Sequence, residues 1–547
     1  MKLNKISLLM VSALALASCS DIDDQAPQSG WLTGDQKQEA QDAVPARIDA
    51  TLSGMYTMMG APYAVYGSVN GRADDFGFIS AALSQDLEGA DATSANNGYN
   101  WFLVANAYSS RNPNYANPYM RYTLPYRQIG VANEIINSVD MATAEAAAKY
   151  KAAQAYAIRA FDYMSLAPYF QGNYATCKDQ PCVPLIKPDG DATNNPRATV
   201  GEVYEQIISD LNTAIENLAG FERTDKSQID QQVAYGLRAR AYLAMGEYAK
   251  AAEDAEKAMQ GYTPASRDEV SVPGFDDIDA DNWMWGIDIT DAQVSSAGYA
   301  TSAAWVSSFS GDGYSAACAV TLCVNKLLFD KIPATDVRKG WWLDENKHSA
   351  NWANLTWGPA KGDEIADYIA DDGSKVAFPA YTNVKFGLKS GIGSTLNNND
   401  WPLMRVEEMI LIEAEGLAKS GQEAKAKEVL ENFVRTYRDP SYSATAGGRS
   451  LADEIWFQRR VELWGEGFFV ADARRLGKNI VRFHQGEESN LSVAFQFNIS
   501  ADDPWLNMRF PRSETDNNKG IGDKHNNTGG SLPVQGQNGE LRDGVTD

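Results

Sequence analysis

Cys19 has the clearest chemistry open to it of any residue in this chain. It follows Leu16-Ala17-Ser18, at the end of a leader with Lys2 and Lys5 at its start and a mostly apolar stretch from Ile6 to Ala17. That stretch is too short to span a bilayer, which takes ~20 residues, and the layout is that of a secretory signal. The Leu-Ala-Ser-Cys ending resembles a bacterial lipobox, in which the thiol is acylated and the cysteine becomes the first mature residue. An ordinary signal peptide beside an accidental cysteine is the alternative. The acidic run Asp21, Asp23 and Asp24 directly after it favours the lipobox. Acyl chains on one cysteine hold durably, since each buried CH2 adds ~0.8 kcal/mol. The expectation is a signal peptide over 1–18 and a lipidated tether over 19–45.

The other reactive types are sparse. Cys177, Cys182, Cys318 and Cys323 fall into two C-x4-C pairs, and the three histidines, His348, His484 and His525, lie far from them in sequence. Zinc knuckles use tighter spacing with histidine nearby. In an exported chain two short disulfides are expected instead, each stapling a loop with about 2 kcal/mol of stabilisation. Asp277, Asp279, Asp281 and Asp288 alternate like a calcium loop. The sixth and twelfth places, which want glycine and glutamate, hold Asn282 and Asp288, so calcium remains a weak candidate and no other metal or cofactor is expected. No G-x-S-x-G elbow, phosphate-binding loop or H-E-x-x-H is present, and no catalytic residue is assigned.

Two sets of residues carry the remaining choice. Arg405, Glu408, Glu415, Arg459, Arg460 and Glu462 sit in helical patterns. They are either acid–base carboxylates, as in glycoside hydrolysis, or inter-helix ion pairs that use the arginine fork. Their place inside helices, away from aromatic loops, favours ion pairs. The second set is tryptophan: Trp101, Trp283, Trp285, Trp305, Trp341 and Trp342 lie in irregular stretches. Singly, each reads as packing. As a group they are expected to include two or three flat faces for sugar rings, with Asp86, Asp91 and Asn100 as polar partners near Trp101. Trp456 and Trp464 read as core.

These residues must be held by the elements around them. A formal charge of −24 argues against nucleic acid as a partner. An amphipathic helix is expected over Ala46–Tyr66, with Ile48, Leu52, Met55, Tyr56 and Met59 on one face. A Gly/Asn/Tyr-rich stretch to Tyr119 reads as loop. Helical rhythm follows through Tyr126–Val139, Glu145–Phe170, halting near Pro168, and Val203–Leu218. Ala241 to Ala258, with Gly246 at a turn and Tyr248 after it, looks like a tetratricopeptide helix pair. A weaker echo runs from Ala414 to Leu430 around Gly421. A β-branched residue at Gly246 is expected to crowd that turn.

The fold class expected is mainly α: about four tetratricopeptide-like pairs forming an α-solenoid core with a long irregular aromatic-rich insertion. The boundaries are a helical part over 46–262, the insertion over 263–400, a second helical part over 401–518 and a loosely structured polar tail over 519–547. The insertion holds seven of the thirteen tryptophans, and disorder is poor in aromatics, so an ordered surface module is expected there.

In this order the pieces resemble the SusD/RagB family of outer-membrane nutrient-binding lipoproteins of Bacteroidetes, from Cys19 to about Asn518. Pro402-Leu403-Met404-Arg405 with Glu408, Ala414 and Glu415 matches one family helix. Arg459-Arg460-Val461-Glu462-Leu463, Glu466-Gly467, Asp472 and Arg474-Arg475 match another. Arg159-Ala160 with Val183-Pro184-Leu185, the Tyr204–Ala214 segment with Asp210-Leu211, and Phe510-Pro511 with Glu514 and Asn517 also fit. Phe469 stands where the family usually has arginine, and Gln458 where it has glutamate. The resemblance implies a surface-exposed, lipid-anchored outer-membrane protein that passes a nutrient to a SusC-like TonB-dependent transporter. A glycan is the first expectation, from the aromatic content, and a peptide, as for RagB-like members, is the second. A lipid-anchored glycan hydrolase and a plain scaffold are the rival classes.

Overall fold

Helices dominate because the chain repeats small apolar residues at helical spacing and punctuates them with caps. The computed structural model describes residues 46–94, 101–187, 190–295, 297–314, 321–351, 356–357, 360–361, 378–391 and 393–547. Cys19, Asn100 and Cys318 lie outside the described residues. Leu52–Asp547 forms one compact unit; of the other, Met1–Thr51, the described residues 46–51 begin the first helix.

That helix, α1 (Ala46–Gly60), stops six residues short of the sequence expectation. Pro62 follows Gly60 closely and biases the preceding residue away from helix. The stretch expected to be loop contains α2 (Gly77–Glu88), whose Phe78, Ile79, Leu83 and Leu87 are all buried. The body follows as α3 (Ala116–Ser138), α4 (Ala146–Phe170), α5 (Val200–Asn217), α6 (Gln231–Met245) and α7 (Tyr248–Ala258). After the insertion come α8 (Val406–Lys419), α9 (Glu423–Tyr437), α10 (Leu451–Glu462) and α11 (Phe469–Leu476). From α3 to α9 each helix packs on the next in chain order, and α8 docks onto α7 across the intervening insertion. The chain is therefore mainly helical, as its patterning requires.

Local chemistry explains the element ends. Thr199 and Glu202 form a reciprocal capping box at the start of α5, satisfying two orphan backbone donors at once. Gly246 ends α6 in the left-handed region at φ 79°. A Cβ there would meet only Tyr248, at 3.9 Å, which is ordinary contact. The expected crowding is absent, and the demand for glycine comes from the dihedral. True close approach occurs at Gly416 on α8, where a Cβ would lie 2.5 Å from the Tyr248 carbonyl of α7.

The insertion contributes core. Strand β2 (Trp283–Ile287) pairs antiparallel with β4 (Trp401–Arg405), and β1 (Ala92–Ser94) with β3 (Leu322–Val324). Trp283, Trp285, Trp341 and Trp342 are at most 1% exposed, so these four do not offer faces to a ligand. Trp285 packs edge-on to Phe161 of α4 and donates to the Ser227 carbonyl at 2.9 Å. Trp341 packs against Phe275 and donates to the Val270 carbonyl, while Trp342 packs on Trp464. Trp456 and Trp464 are core as expected. The tail after 519 is docked: Asp543 is buried and pairs with Arg460 at 2.6 Å.

The charged helix residues form buried ion pairs. Glu462 accepts from Arg338, Arg405 and Arg438 at 2.8–3.2 Å. Arg405 also grips Glu466 through two bonds of 2.8 Å, and Lys385 reaches Glu466 at 2.7 Å. Glu408 pairs with Arg240, Glu415 with Arg475, Arg459 with Asp472 and Arg460 with Asp91. The surrounding arginines hold the Glu462 carboxyl well below the usual carboxylate range against the opposing effect of burial. Gln458, the departure from the family pattern, accepts from Arg338 at 2.5 Å, so the amide keeps an acceptor in the network. Phe469 lies beneath the Arg460 guanidinium.

Two outcomes follow for stability. Glu462→Gln removes the charge that three guanidiniums share, and breaking a buried pair costs about 3–5 kcal/mol; urea unfolding of the purified protein should show a loss of that size. Gly416→Val should cost more than Gly246→Val. The first drives a side chain into backbone, whereas the second pays mainly for a left-handed φ, worth about 1–2 kcal/mol. Equal melting temperatures for the two variants would contradict this ordering.

Candidate functional site

The site is built where two loops meet, residues 63–76 after α1 and residues 299–314 of the insertion. Tyr63 turns the first loop with a positive φ of 56°. Its backbone N–H donates to the Asp75 carbonyl at 2.6 Å, and its hydroxyl donates to the Ala297 carbonyl at 2.7 Å. The Asp75 carboxylate accepts from the Val65 and Tyr66 backbone N–H groups at 3.0 and 2.8 Å. One aspartate thus closes the loop; burial raises its carboxyl above the ordinary value.

Trp305 joins the two loops. Its Nε1 lies 2.8 Å from the Ala73 carbonyl and 2.9 Å from that of Tyr299. Its ring stacks on Tyr314 with centroids 4.2 Å apart, and Phe102 meets it edge-on at 4.8 Å. At 4% exposure Trp305 is a support and not an open face. With Phe102 anchored there, its neighbour Trp101 is half-buried and lies over Arg72, 4.6 Å from ring centroid to guanidinium. Tyr66 faces the same guanidinium at 5.6 Å and packs on Tyr119 at 5.4 Å. Arg72 is oriented by two bonds to Asp74 of 2.9 and 3.0 Å. Tyr299, also half-buried, packs edge-on to Tyr314, and its hydroxyl donates to Asp312 at 3.2 Å.

The arrangement presents partly open aromatic rings, Trp101, Tyr66, Tyr119 and Tyr299, beside a fixed guanidinium and carboxylates. Such a surface suits ring stacking with flanking hydrogen bonds. Of the six tryptophans singled out in the sequence, the structure places Trp101 and Trp305 here and the other four in the core. Tyr66, Arg72, Asp74 and Tyr299 were missed. The signal available for them was the Arg72-Ala73-Asp74-Asp75 run between tyrosines and a helix start, where a charge pair sits among aromatics. Asp91 is elsewhere, buried under Arg460. Asp86 is also elsewhere, accepting from the Gly467 N–H at 2.8 Å.

The cysteine and calcium expectations need correction. Cys177 and Cys182 are free thiols. Cys177 ends a short helix, Tyr174–Cys177, while Cys182 is drawn into an extended segment by the bond from its N–H to the Ala198 carbonyl. Burial pushes the Cys182 thiol up to about 12. Cys323 is a buried thiol, 3.6 Å from the Thr321 carbonyl and 3.8 Å from the Thr382 hydroxyl. Asp277, Asp279, Asp281 and Asp288 do not converge: among the described residues no group of three or more acidic, cysteine or histidine ligands could hold a metal. The Asp277 carboxylate instead accepts from the Asp279 N–H and lies 3.6 Å from Lys389.

The chain resembles known proteins in both halves. The family model described as "Starch-binding associating with outer membrane" matches residues 48–243, and that of the SusD family matches residues 343–530. A SusD-like carbohydrate binding protein from Bacteroides vulgatus shares 22% identity at a TM-score of 0.70, covering 88% of this chain and 98% of its own. A SusD superfamily protein from Bacteroides thetaiotaomicron shares 22% at 0.64, covering 88% and 99%. Surface glycan-binding protein A from Bacteroides thetaiotaomicron, in complex with laminarihexaose, shares 17% at 0.64, covering 88% and 99%. No curated protein matches the chain.

Asp86 supplies a pH test of its structural role. Burial, outweighing the Gly467 N–H bond, raises its carboxyl to about 8. The folded state therefore holds a proton that the unfolded state has released above ~4, and stability should fall as pH rises from ~4 toward 8. Asp86→Asn, permanently neutral, should melt higher than the parent at pH 8 and lose that advantage at pH 4. An equal margin at both pH values would show that the carboxyl is charged in the fold.

Proposed function

The chain belongs to the SusD family, and from that premise we propose that it is a lipid-anchored protein of the outer-membrane surface. It binds a glycan on the Trp101–Tyr66–Tyr299 face and delivers it to a SusC-like TonB-dependent transporter. The observation that carries the ligand class is the cradle around Arg72. Flat, partly open aromatic rings flank a guanidinium fixed by Asp74. Sugar C–H faces stack on such rings while the polar rim pairs with hydroxyls. The solved relative that holds laminarihexaose, and another whose name is laminarin-binding SusD-like protein, support a β-glucan as the first ligand to try. Anchoring rests on the Cys19 lipobox, and among the described residues no helix is long and apolar enough to cross a membrane.

Binding fits this site better than hydrolysis. Asp74 is committed to Arg72, and Asp75 to the Val65 and Tyr66 backbone. Neither is placed as one of two independent carboxylates astride a glycosidic bond. Glu408 is tied to Arg240, and Glu462 to Arg438, in ion pairs.

Titration calorimetry with laminarihexaose tests the reading directly. Trp101→Ala should weaken binding about 10-fold or more, which is ~1.4 kcal/mol, with an unchanged helical circular-dichroism spectrum. Trp341→Ala should unfold the protein before it alters affinity, since that ring is core. Binding of peptides with no glycan binding would move the ligand to the RagB-like class. Release of shorter glucans by the purified protein would make it a hydrolase.

A further inference from the structure

The guanidinium at the aromatic face is governed by the carboxylate bound to it. Arg72 spends Nε and Nη2 on the two oxygens of Asp74. The Asp74 side chain is 1% exposed and that of Arg72 24%, so the counter-charge lies underneath and the cation is what solvent reaches. Nη1 of Arg72 meets no acceptor among the described residues, and it is not sealed from solvent. It leaves an open N–H beside Trp101 and Tyr66, whose ring centroids stand 4.6 and 5.6 Å from the guanidinium. The group therefore offers a ligand a hydrogen bond but no net charge. Asp74 is also anchored without Arg72: its backbone carbonyl accepts from the Ser80 hydroxyl, which Arg121 holds in turn.

The other charges around the face give an anion no better welcome. Arg121 is buried and donates through both terminal nitrogens to Ser80 and Ser84. Arg127 donates to the Ala64 and Val65 carbonyls, from a place about 12 Å further along α3 than Tyr119 at 1.5 Å per residue. Asp75, on the same loop as Asp74, is held by the Val65 and Tyr66 N–H groups. On the second loop Asp312 is exposed and accepts from the Tyr299 hydroxyl at 3.2 Å, and no cation pairs with it among the described residues. That side of the face carries a negative charge with nothing to balance it.

We propose, on the glycan-binding reading of this face, that Asp74 determines its specificity by acting through Arg72: it sets the face to take uncharged glycan chains and to turn away chains that bear carboxylates. A sugar hydroxyl needs only the Nη1 donor and loses nothing when the guanidinium is already paired. A uronate gains little from a cation whose charge Asp74 has neutralised, and it meets repulsion from Asp312. Hydrogen bonds to an ionised partner are roughly twice as strong as neutral ones, so the pairing state of Arg72 decides which sugars profit. Asp74→Asn keeps an acceptor oxygen beneath Arg72 and removes only the charge. Nη1 then becomes the open donor of an uncompensated cation, and the preference should swing toward acidic chains.

The test titrates the purified full chain with two matched probes, laminarihexaose and the same oligomer with its primary alcohols oxidised to carboxylates. The parent should bind the neutral chain at least ~10-fold more tightly. That gap should narrow from about 50 mM to about 0.5 M salt, because screening relieves repulsion. In Asp74→Asn the ratio should shift by ~10-fold toward the oxidised chain, and binding of that chain should now weaken with added salt. The reversed salt dependence is a readout that a disturbed loop alone would not produce, since it would weaken both probes alike. If Asp74→Asn does not fold, the parent's salt series decides alone. Equal binding of the two probes by the parent, or an unchanged ratio in Asp74→Asn, would overturn the proposal while leaving the glycan reading in place. Binding of neither probe would overturn both.

Discussion

Four buried cations and four buried anions in one knot hold this protein's two kinds of structure together. Arg338, Lys385, Arg405 and Arg438 interlock with Asp336, Glu407, Glu462 and Glu466, and none is more than 6% exposed. Such a knot is tolerable in low dielectric only because it is neutral and its hydrogen bonds are filled; half of it would cost more than its absence. Its members come from separate stretches of chain. Arg338 and Lys385 belong to the insertion, Arg405 closes β4, Arg438 follows α9, and Glu462 ends α10. The insertion and the helices therefore share one folding requirement: neither can bury its charges without the other.

From that knot a short run of bonds reaches the aromatic site. Two residues before Lys385, Asn383 donates to the Val306 carbonyl at 2.8 Å, and its own carbonyl accepts from the Ser308 hydroxyl at 2.7 Å. Val306 directly follows Trp305, whose indole nitrogen reaches the Ala73 carbonyl beside Arg72. The rings that would meet a ligand thus stand on loops, but the loops are pinned by buried amides and an indole. Binding surfaces on loops gain precision when the supports beneath them are locked in this way.

What could be read in the sequence was whatever depends on local periodicity or on residues with one dominant use. The Gly246 turn, the helices around it and the pairing role of Arg405, Glu408, Glu415, Arg459 and Glu462 belong to that class. The tryptophans do not. Trp283 and Trp101 both sit outside helical rhythm, yet one is strand core and the other half-open, because burial depends on what the rest of the chain brings against them. Helix α2 was hidden for a related reason: it starts at Gly77 in a glycine- and asparagine-rich neighbourhood, and its helicity comes from burying Phe78, Ile79, Leu83 and Leu87 and not from propensity. Arg72 was passed over because a lone arginine beside aspartates reads as solvated surface until two aromatic rings are placed on either side of it.

At the aromatic face Arg72 is answered by Asp74, and Asp75 by backbone N–H groups. A ligand there gains by stacking and by hydroxyl contacts, so it needs no charge of its own, and a neutral sugar suits it.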